Sequence, residues 1–292
     1  MGNQNRAFIA IILVLAVGAG VAAAGSQGGV SAFGVPLFAL GVILAFVIQW
    51  VAFIPAFLLK TEKFYDLTGS ITYLSVIAAA LFLNPAVDSR GWLLAGMVAV
   101  WAVRLGTFLF RRILAAGEDR RFREAKKSFA RFLLYWTMQG LWVTFSLAAA
   151  LASITAETKV ELDLFALVGF VVWLLGFGIE VAADQQKSKF KQAPENKDKF
   201  IQTGLWAWSR HPNYFGEIIL WIGVTIIALP VLSGWQWVTL ISPVFITLLL
   251  TRISGVPMLE ARADEKWGGQ PDYEAYKANT PVLIPRPPSK SA

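Results

Sequence analysis

The sequence contains no cysteine and only one histidine, His211, in 292 residues. Without cysteine the chain has no disulfide framework, thiol nucleophile or iron–sulfur ligand. A structural zinc site needs four Cys or His ligands, so no metal site is predicted. Charge is also scarce: 15% of the residues are charged, against about 25% in ordinary soluble domains.

Apolar sequence is abundant instead, at 56% of the residues, with a mean hydropathy of +0.57. A bilayer can bury this much apolar surface, and each helical crossing takes roughly 20 apolar residues. We therefore predict an all-α fold, a polytopic integral membrane helical bundle of about eight transmembrane helices (seven plus an N-terminal one). The apolar segments lie near 7–24, 33–59, 67–83, 91–110, 132–152, 163–183, 213–231 and 235–251.

Basic residues are concentrated in some of the connections. Residues 111–131 hold eight Lys and Arg against three acids, and residues 184–212 hold six against three, whereas 84–90 and 152–163 hold few. Basic loops stay cytoplasmic, so we predict eight spans with both termini in the cytoplasm. The net charge of +7 then mainly reflects topology, with membrane lipids or an anionic cofactor as further partners. Nucleic acid is not predicted, because the basic residues flank membrane helices.

The first apolar segment has two interpretations. "MGNQNR" followed by an apolar run and "AAAGS" is typical of a signal peptide with a small-residue cleavage site, but also of an ordinary first helix. We predict an N-terminal transmembrane helix or signal-like segment over 1–31. A single membrane domain with cytoplasmic basic loops and tail is predicted over 32–292. The oligomeric state is not indicated.

Several ionisable residues lie within the predicted spans, where charge is costly and therefore points to function. Arg104, Glu180 and Glu217 each lie toward the predicted cytoplasmic end of a span, and Asp184 follows Glu180 by one helical turn. They suggest a polar, water-accessible cavity open to the cytoplasm. The alternative is a set of snorkelling side chains and structural ion pairs.

The stretch "WSRHPNYFGEIILW" carries His211 at the start of a predicted helix. Pro212 suits the first helical turn, and a helix start with Arg210 and His211 beside it favours an anion such as a phosphate or carboxylate. Nearby basic residues could bind a dinucleotide, or could be flanking charge; they include Lys187, Lys191, Arg120 and Arg121. Since neither a Walker loop nor a G-x-G-x-x-G between strand and helix is present, helices and loops would have to hold any nucleotide.

The segments "GLWAWSRHPNYFGEIILWIG", "GEDRRF", "LYWTMQGLW" and "DYEAYKANTPVLIP" resemble the bacterial branch of the steroid 5α-reductase family. The resemblance implies an enzyme of the bacterial inner membrane. Its NADPH site would face the cytoplasm, and it would saturate the carbon–carbon double bond of a lipid-like enone. The family is distantly related to isoprenylcysteine and phospholipid methyltransferases, which share the "RHPxYxG" helix start but use S-adenosylmethionine.

The resemblance and the charged helix start together predict a set of cofactor-binding residues. Asn213, Tyr214 and Glu217 correspond to the family's cofactor pocket. The full predicted set is Arg104, Arg120, Arg121, Gln139, Asp184, Lys187, Lys191, Arg210, His211, Asn213, Tyr214, Glu217, Arg252, Glu260 and Tyr276.

The sequence departs from the steroid reductases at the substrate site. Those proteins carry a Gln-Glu pair in an early helix and a later tyrosine that hold the substrate ketone. Here Gln49 is followed by Trp50, and Trp101 stands at the later position. We therefore predict that Gln49 and Trp101 contact the substrate. The departure favours a lipid enone other than a steroid, and a steroid-like enone stays open.

Conjugate reduction builds negative charge on the carbonyl oxygen, so a hydrogen-bond donor must be placed there in advance. The candidates are Tyr65, Asp66 and Tyr73 in "KFYDLTGSITYLS". Asp66 and Tyr73 are seven residues apart and can share a helix face, while Asp66 could donate only if burial kept it protonated.

Three functions remain open from the sequence. The first is an NADPH-dependent membrane reductase. The second is an S-adenosylmethionine-dependent lipid or prenyl methyltransferase, which would need fewer cations because its cofactor has no phosphate. The third is a non-enzymatic lipid-binding or transport protein.

Overall fold

The computed structural model describes residues 3–288, except for the side chains of Asn3 and Arg120. The described chain is almost wholly helical. Its one hairpin pairs β1 (Ser31–Ala32) with β2 (Val35–Pro36) in antiparallel register. The α-helices of this part are α1 (Asn3–Gly25), α2 (Leu37–Leu58), α3 (Tyr65–Leu83), α4 (Ser89–Ala116), α5 (Phe129–Thr155), α6 (Leu164–Gln192), α7 (Pro212–Ala228), α8 (Ile241–Leu248), α9 (Gly255–Trp267) and α10 (Pro271–Asn279).

Within residues 3–288, eight helical stretches are long and apolar enough to cross a membrane. All eight predicted apolar segments are among them, so the predicted all-α, polytopic membrane fold is confirmed and the chain is an integral membrane protein. The cytoplasmic placement of the termini stays a prediction. So does the division into a 1–31 segment and a 32–292 domain.

The eighth span is not the uniform helix that residues 235–251 predicted. It begins with a 3-10 turn over Gly234–Leu240, where Ser233 and Gln236 form a capping box. After α8 the winding loosens to a π-helix over Leu249–Ile253, and α9 continues to Trp267. The main-chain N–H of Ser254 bonds the carbonyl of Leu249 at 2.9 Å, a spacing of five residues instead of four.

The chain divides into two compact units. The first runs to Ala166 and includes Ile227–Ser242, and the second holds Leu167–Ile226 and the chain from Pro243. In the first unit α5 is central: it contacts α1, α2, α3 and α4, and 83% of its apolar window is buried. Helices approach closely through glycine, as where the ring of Phe46 lies against Gly140.

A buried arginine fixes one end of the first unit. Asp88 caps α4 by accepting from the N–H of Gly91 at 2.8 Å. The fully buried Arg90 donates to the carbonyls of Val160, Glu161 and Ile227 at 2.6–3.2 Å and to the Asp163 carboxylate at 2.9 Å. Each of these bonds satisfies a main-chain or carboxylate acceptor, so Arg90 has a structural role and holds these connections together.

Candidate functional site

The second unit holds a polar cluster at the start of α7. The helix begins at Pro212, as predicted, and its first bond runs from the N–H of Phe215 to the carbonyl of His211. The preceding loop is turned by Ser209, whose hydroxyl accepts the main-chain N–H of His211 at 3.1 Å. His211 is therefore held directly at the helix entrance.

The His211 imidazole is buried and has one charged partner. Its Nε2 lies 2.7 Å from Glu260 Oε1, and Glu260 Oε2 lies 2.9 Å from Arg210 Nη2. Because an ionised carboxylate only accepts hydrogen bonds, Nε2 carries the proton and Nδ1 is left as an acceptor. That Nδ1 is buried and has no hydrogen-bond partner among residues 3–288.

The environment of His211 keeps the imidazole neutral. Burial lowers the pKa of His211, and this outweighs the hydrogen bond and charge of Glu260, which raise it. The ring lies parallel to that of Tyr214, at 9° with centroids 5.6 Å apart. A neutral, stacked imidazole at this position can accept a hydrogen bond from a ligand.

Asn213 presents a second acceptor two residues further on. Its side-chain N–H donates to Asp184 Oδ1 at 3.2 Å, which fixes the amide orientation. The amide oxygen is buried and, in the part of the chain that the structure describes, unpartnered. Buried acceptors without partners are costly, so this helix start suits a ligand that offers hydroxyl or amide N–H donors.

Trp206 connects this cluster to α6 and α10. Its indole N–H donates to the carbonyl of Ala183 at 3.0 Å, and its own carbonyl accepts from the Tyr276 hydroxyl at 2.7 Å. The ammonium of Lys187 lies 4.1 Å from the centroid of the indole ring. Burial raises the pKa of Tyr276, so the phenol remains a donor.

The structure thus brings together a large part of the predicted cofactor set. The cluster holds two cations, Lys187 and Arg210, and two carboxylates, Asp184 and Glu260. It is therefore not the cationic entrance that was expected from the sequence. Lys191 and Arg252 are exposed, and Glu217 lies one turn further along α7. The residues of this linked cluster are Asp184, Lys187, Arg210, His211, Asn213, Tyr214, Glu260 and Tyr276.

In the first unit, the predicted substrate residues lie beside one catalytic candidate. Gln49 donates to the Thr72 hydroxyl at 2.8 Å, and its buried Oε1 accepts no hydrogen bond from the described residues. The next residue along α3, Tyr73, stands perpendicular to the Trp101 ring at 5.1 Å. The Tyr73 hydroxyl is hydrogen-bonded to that of Ser146.

The other two catalytic candidates have structural partners. Tyr65 is buried in an aromatic cluster and donates to the carbonyl of Tyr135 at 2.9 Å. Asp66 lies 3.7 Å from Arg121, whose guanidinium also contacts Asp119 at 2.5 Å. Burial raises the pKa of Asp119, but the hydrogen bond and charge of Arg121 outweigh it, so the pKa is lowered overall.

Like Arg121, three further residues of the predicted cofactor set lie in the first unit. Gln139 is buried against Gly69 of α3, and its Oε1 has no partner within residues 3–288. Arg104 lies 5.2 Å from the centroid of the Phe108 ring. Arg120 belongs to the 3-10 turn Arg120–Phe122, and its side chain lies outside the described part.

Comparison with known proteins gives the family. The chain matches the family described as "Protein of unknown function (DUF1295)" over residues 52–280. The chain belongs to this family. DUF1295 proteins are part of the steroid 5-alpha-reductase-like group.

This DUF1295 member is also similar to individual reductases. It is 28% identical over 120 residues to the rat 3-oxo-5-alpha-steroid 4-dehydrogenase 1, covering 41% of this chain and 40% of the relative. Steroid 5-alpha-reductase DET2 of Gossypium hirsutum is 28% identical over 119 residues, 41% of each chain. Delta(14)-sterol reductase ERG24 of Saccharomyces cerevisiae is 38% identical over 87 residues, 26% of this chain and 19% of the relative. The chain spans about two fifths of the length of the steroid relatives. No solved structure matches it.

Sequence reasoning missed some polar residues of this DUF1295 protein. Thr72, Ser146 and Ser209 each bond a predicted site residue. A lone serine or threonine is common in helices and loops, so only its neighbours could have marked it. Ser209 did stand inside the motif, two residues before His211.

Proposed function

We propose that this protein is a membrane-embedded reductase that uses NADPH to saturate a carbon–carbon double bond of a hydrophobic, lipid-like enone. The relatives named above are steroid and sterol reductases, which supports the reaction class. The observation that carries the proposal is a pair of buried acceptors that have no hydrogen-bond partner within residues 3–288, His211 Nδ1 and Asn213 Oδ1. In this proposal the enzyme resides in a bacterial inner membrane with its cofactor site toward the cytoplasm.

The donors of NADPH fit these acceptors. Its ribose hydroxyls and carboxamide N–H groups can donate to His211 Nδ1 and Asn213 Oδ1, while Asp184 holds the Asn213 amide in place. Tyr214 stacks on the imidazole and limits its rotation. When bound, the cofactor supplies the hydride for the reduction.

The substrate carbonyl needs a donor, and Tyr73 is the best placed of the three candidates. Tyr65 is committed to a main-chain carbonyl, and Asp66 lies beside Arg121. The Tyr73 hydroxyl is hydrogen-bonded to the Ser146 hydroxyl, a partner that a substrate carbonyl can replace. It can therefore turn to donate to a carbonyl oxygen and stabilise the charge that develops there as the β-carbon accepts hydride. The α-carbon then takes up a proton.

The substrate of this proposal is an enone other than a classical steroid. The residue after Gln49 is Trp50, whose indole N–H donates to Thr137 at 3.2 Å. Trp50 cannot supply the carboxyl group that a Gln-Glu pair offers. A substrate would have to be held by Gln49, by Tyr73 and by apolar contact with Trp101.

Ligand-induced stabilisation tests the cofactor. Detergent-purified protein is heated with NADPH, NADH or S-adenosylmethionine, and bound ligand raises the melting temperature, with about 2.7 kcal/mol expected at 100 times Kd. We expect NADPH to stabilise the protein and Asn213→Ala to weaken its binding roughly ten- to 100-fold, because the variant loses a buried acceptor. Asn279→Ala is the control, because Asn279 is exposed and its side chain donates to the carbonyl of Ala275 in its own helix.

The other outcomes separate the alternatives. Stabilisation by S-adenosylmethionine but by neither nicotinamide nucleotide would refute the reductase and favour a methyltransferase. No stabilisation by any of the three would favour lipid binding or transport. If NADPH binds, its oxidation with added hydrophobic enones is followed by absorbance, and Tyr73→Phe is expected to lower kcat without changing the Kd for NADPH.

A further inference from the structure

The C-terminal segment 281–286, here called the tail strap, runs along the loop that precedes α7. The main-chain N–H of Arg210 donates to the carbonyl of Pro281, and that of Arg286 donates to the carbonyl of Trp208, each at 2.9 Å. Between them, the Ser209 hydroxyl donates to the carbonyl of Leu283 at 2.8 Å. Three bonds over a few residues hold this loop against the tail strap.

Ser209 links the tail strap to His211. Its fully buried hydroxyl acts as donor and as acceptor: it donates to the tail strap and accepts a hydrogen bond from the main-chain N–H of His211 at 3.1 Å. The N–H groups at a helix start have no partner inside the helix. Ser209 therefore supplies the partner that holds the His211 backbone.

Arg210 fixes the side chain of His211 through Glu260. Its guanidinium donates to the Lys277 carbonyl of α10 at 3.1 Å and pairs with Glu260 at 2.9 Å. Glu260 in turn holds the His211 imidazole at Nε2. His211 is thus held at its backbone through Ser209 and at its side chain through Glu260, and both connections lead back to the C-terminal chain.

We propose that Ser209 and the tail strap are a positioning device that fixes His211, so that Nδ1 stays aimed to accept a hydrogen bond from a ligand hydroxyl. This inference rests on the proposed function. Ser209 is fully buried and its hydroxyl is bonded to the tail strap and to the His211 backbone, so its role is to position His211 and not to contact the ligand. This role also accounts for the hydrogen bonds between the C-terminal tail and the start of α7, which are distant in sequence.

His211 is the only histidine, so its imidazole can be observed alone. Protein labelled with ¹⁵N-histidine gives one pair of ring nitrogen signals, whose shifts report the tautomer and its exchange. We expect Ser209→Ala to move both signals toward those of a free imidazole that exchanges between its two tautomers. Ser153→Ala removes another buried serine hydroxyl, one that lacks a partner in the described chain, and is expected to leave the signals unchanged.

A second variant approaches the device from the other side. Arg210→Lys keeps the charge but cannot span Glu260 and the Lys277 carbonyl together, and we expect it to move the ring nitrogen signals in the same direction. If Ser209→Ala does not fold, Ser209→Cys takes its place: its thiol fills the same space but is a weaker donor and acceptor, and the signals are expected to move in the same direction. Unchanged signals in the folded variants would overturn the proposal.

A double-mutant cycle distinguishes positioning from general structural damage. Ser209→Ala is expected to weaken NADPH binding roughly five- to tenfold, but to cause little further loss in a His211→Ala background. Equal losses in both backgrounds would overturn the positioning role. If wild-type protein does not bind NADPH while the nitrogen signals respond as expected, the proposed cofactor fails and the positioning of His211 stands.

Discussion

The backbones of Gly176 in α6 and Gly216 in α7 touch: a Cβ built on either glycine would lie 2.6 Å from the carbonyl oxygen of the other. Such contacts let membrane helices approach closely where small residues face each other. Gly223 repeats the contact two turns further along α7, against Trp173.

Replacement of Gly176 by alanine is expected to force the two helices apart. We expect Gly176→Ala to lower the free energy of unfolding by about 1–3 kcal/mol, the usual cost of overpacking. Gly178→Ala on the same helix is the control, since nothing lies within 4 Å of its Cβ position and alanine is the better helix former. Thermal unfolding in one detergent compares the two. Equal melting temperatures would contradict the close contact.

Arg90 should be among the most sensitive positions of the first unit. Arg90→Met removes the donors of three main-chain carbonyls. Each acceptor left without a partner costs about 1–3 kcal/mol, so we expect a loss of about 3–5 kcal/mol. Arg90→Lys should not restore stability, because one ammonium cannot reach all of these acceptors. Asp163→Asn serves as the control: Asp163 is 38% exposed, asparagine can still cap the next helix, and the cost should be about 1 kcal/mol or less.

Two neighbouring lysines provide a matched test of burial. Lys126 forms an ion pair at 2.5 Å with Glu62, whose side chain is 2% exposed. Lys127 forms an ion pair at 2.6 Å with Glu124, and both of these side chains are exposed to solvent. Lys126→Met leaves a buried carboxylate unpaired and is expected to cost about 3–5 kcal/mol. Lys127→Met should cost less than about 1 kcal/mol. Chemical or thermal unfolding measures both, and similar losses would show that Glu62 is solvated.

The buried imidazole predicts a pH dependence. Burial lowers the pKa of His211, so the unfolded chain binds the extra proton first as the pH falls. The folded protein therefore becomes less stable below the ordinary histidine pKa of about 6.5. Full stability from this residue is present above that pH. We expect melting temperatures of wild type to fall more steeply than those of His211→Gln between about pH 7 and pH 5. Parallel curves would mean that His211 titrates as in water.

The sequence predicted the spans better than their ends. Apolar length identifies the hydrocarbon crossing, and all eight crossings were found by it. However, α4 continues to Ala116 and α6 to Gln192, past the predicted 110 and 183. Arginine, lysine and glutamine are good helix formers, so these helices extend beyond the point where hydropathy falls.

The site was predictable as a set of residues but not as a network. The motif around His211 and the position of Asp184 after the sixth span indicated a polar cluster. That Glu260, 49 residues away, would accept from the imidazole depends on how α9 is oriented. No spacing rule joins two residues so distant, and the roles of the site residues in binding stay predictions.

The π-helical segment Leu249–Ile253 sets the angular register of α9. A π-helix accommodates more residues per turn than an α-helix, so deletion of one residue there would restore ordinary winding. The i→i+5 bond takes up one more residue than an α-helical turn in about the same rotation, so the deletion would leave α9 close to its present orientation, with Glu260 still facing the His211 ring. The loosened winding thus accommodates an extra residue in the last span without turning Glu260 away from the site.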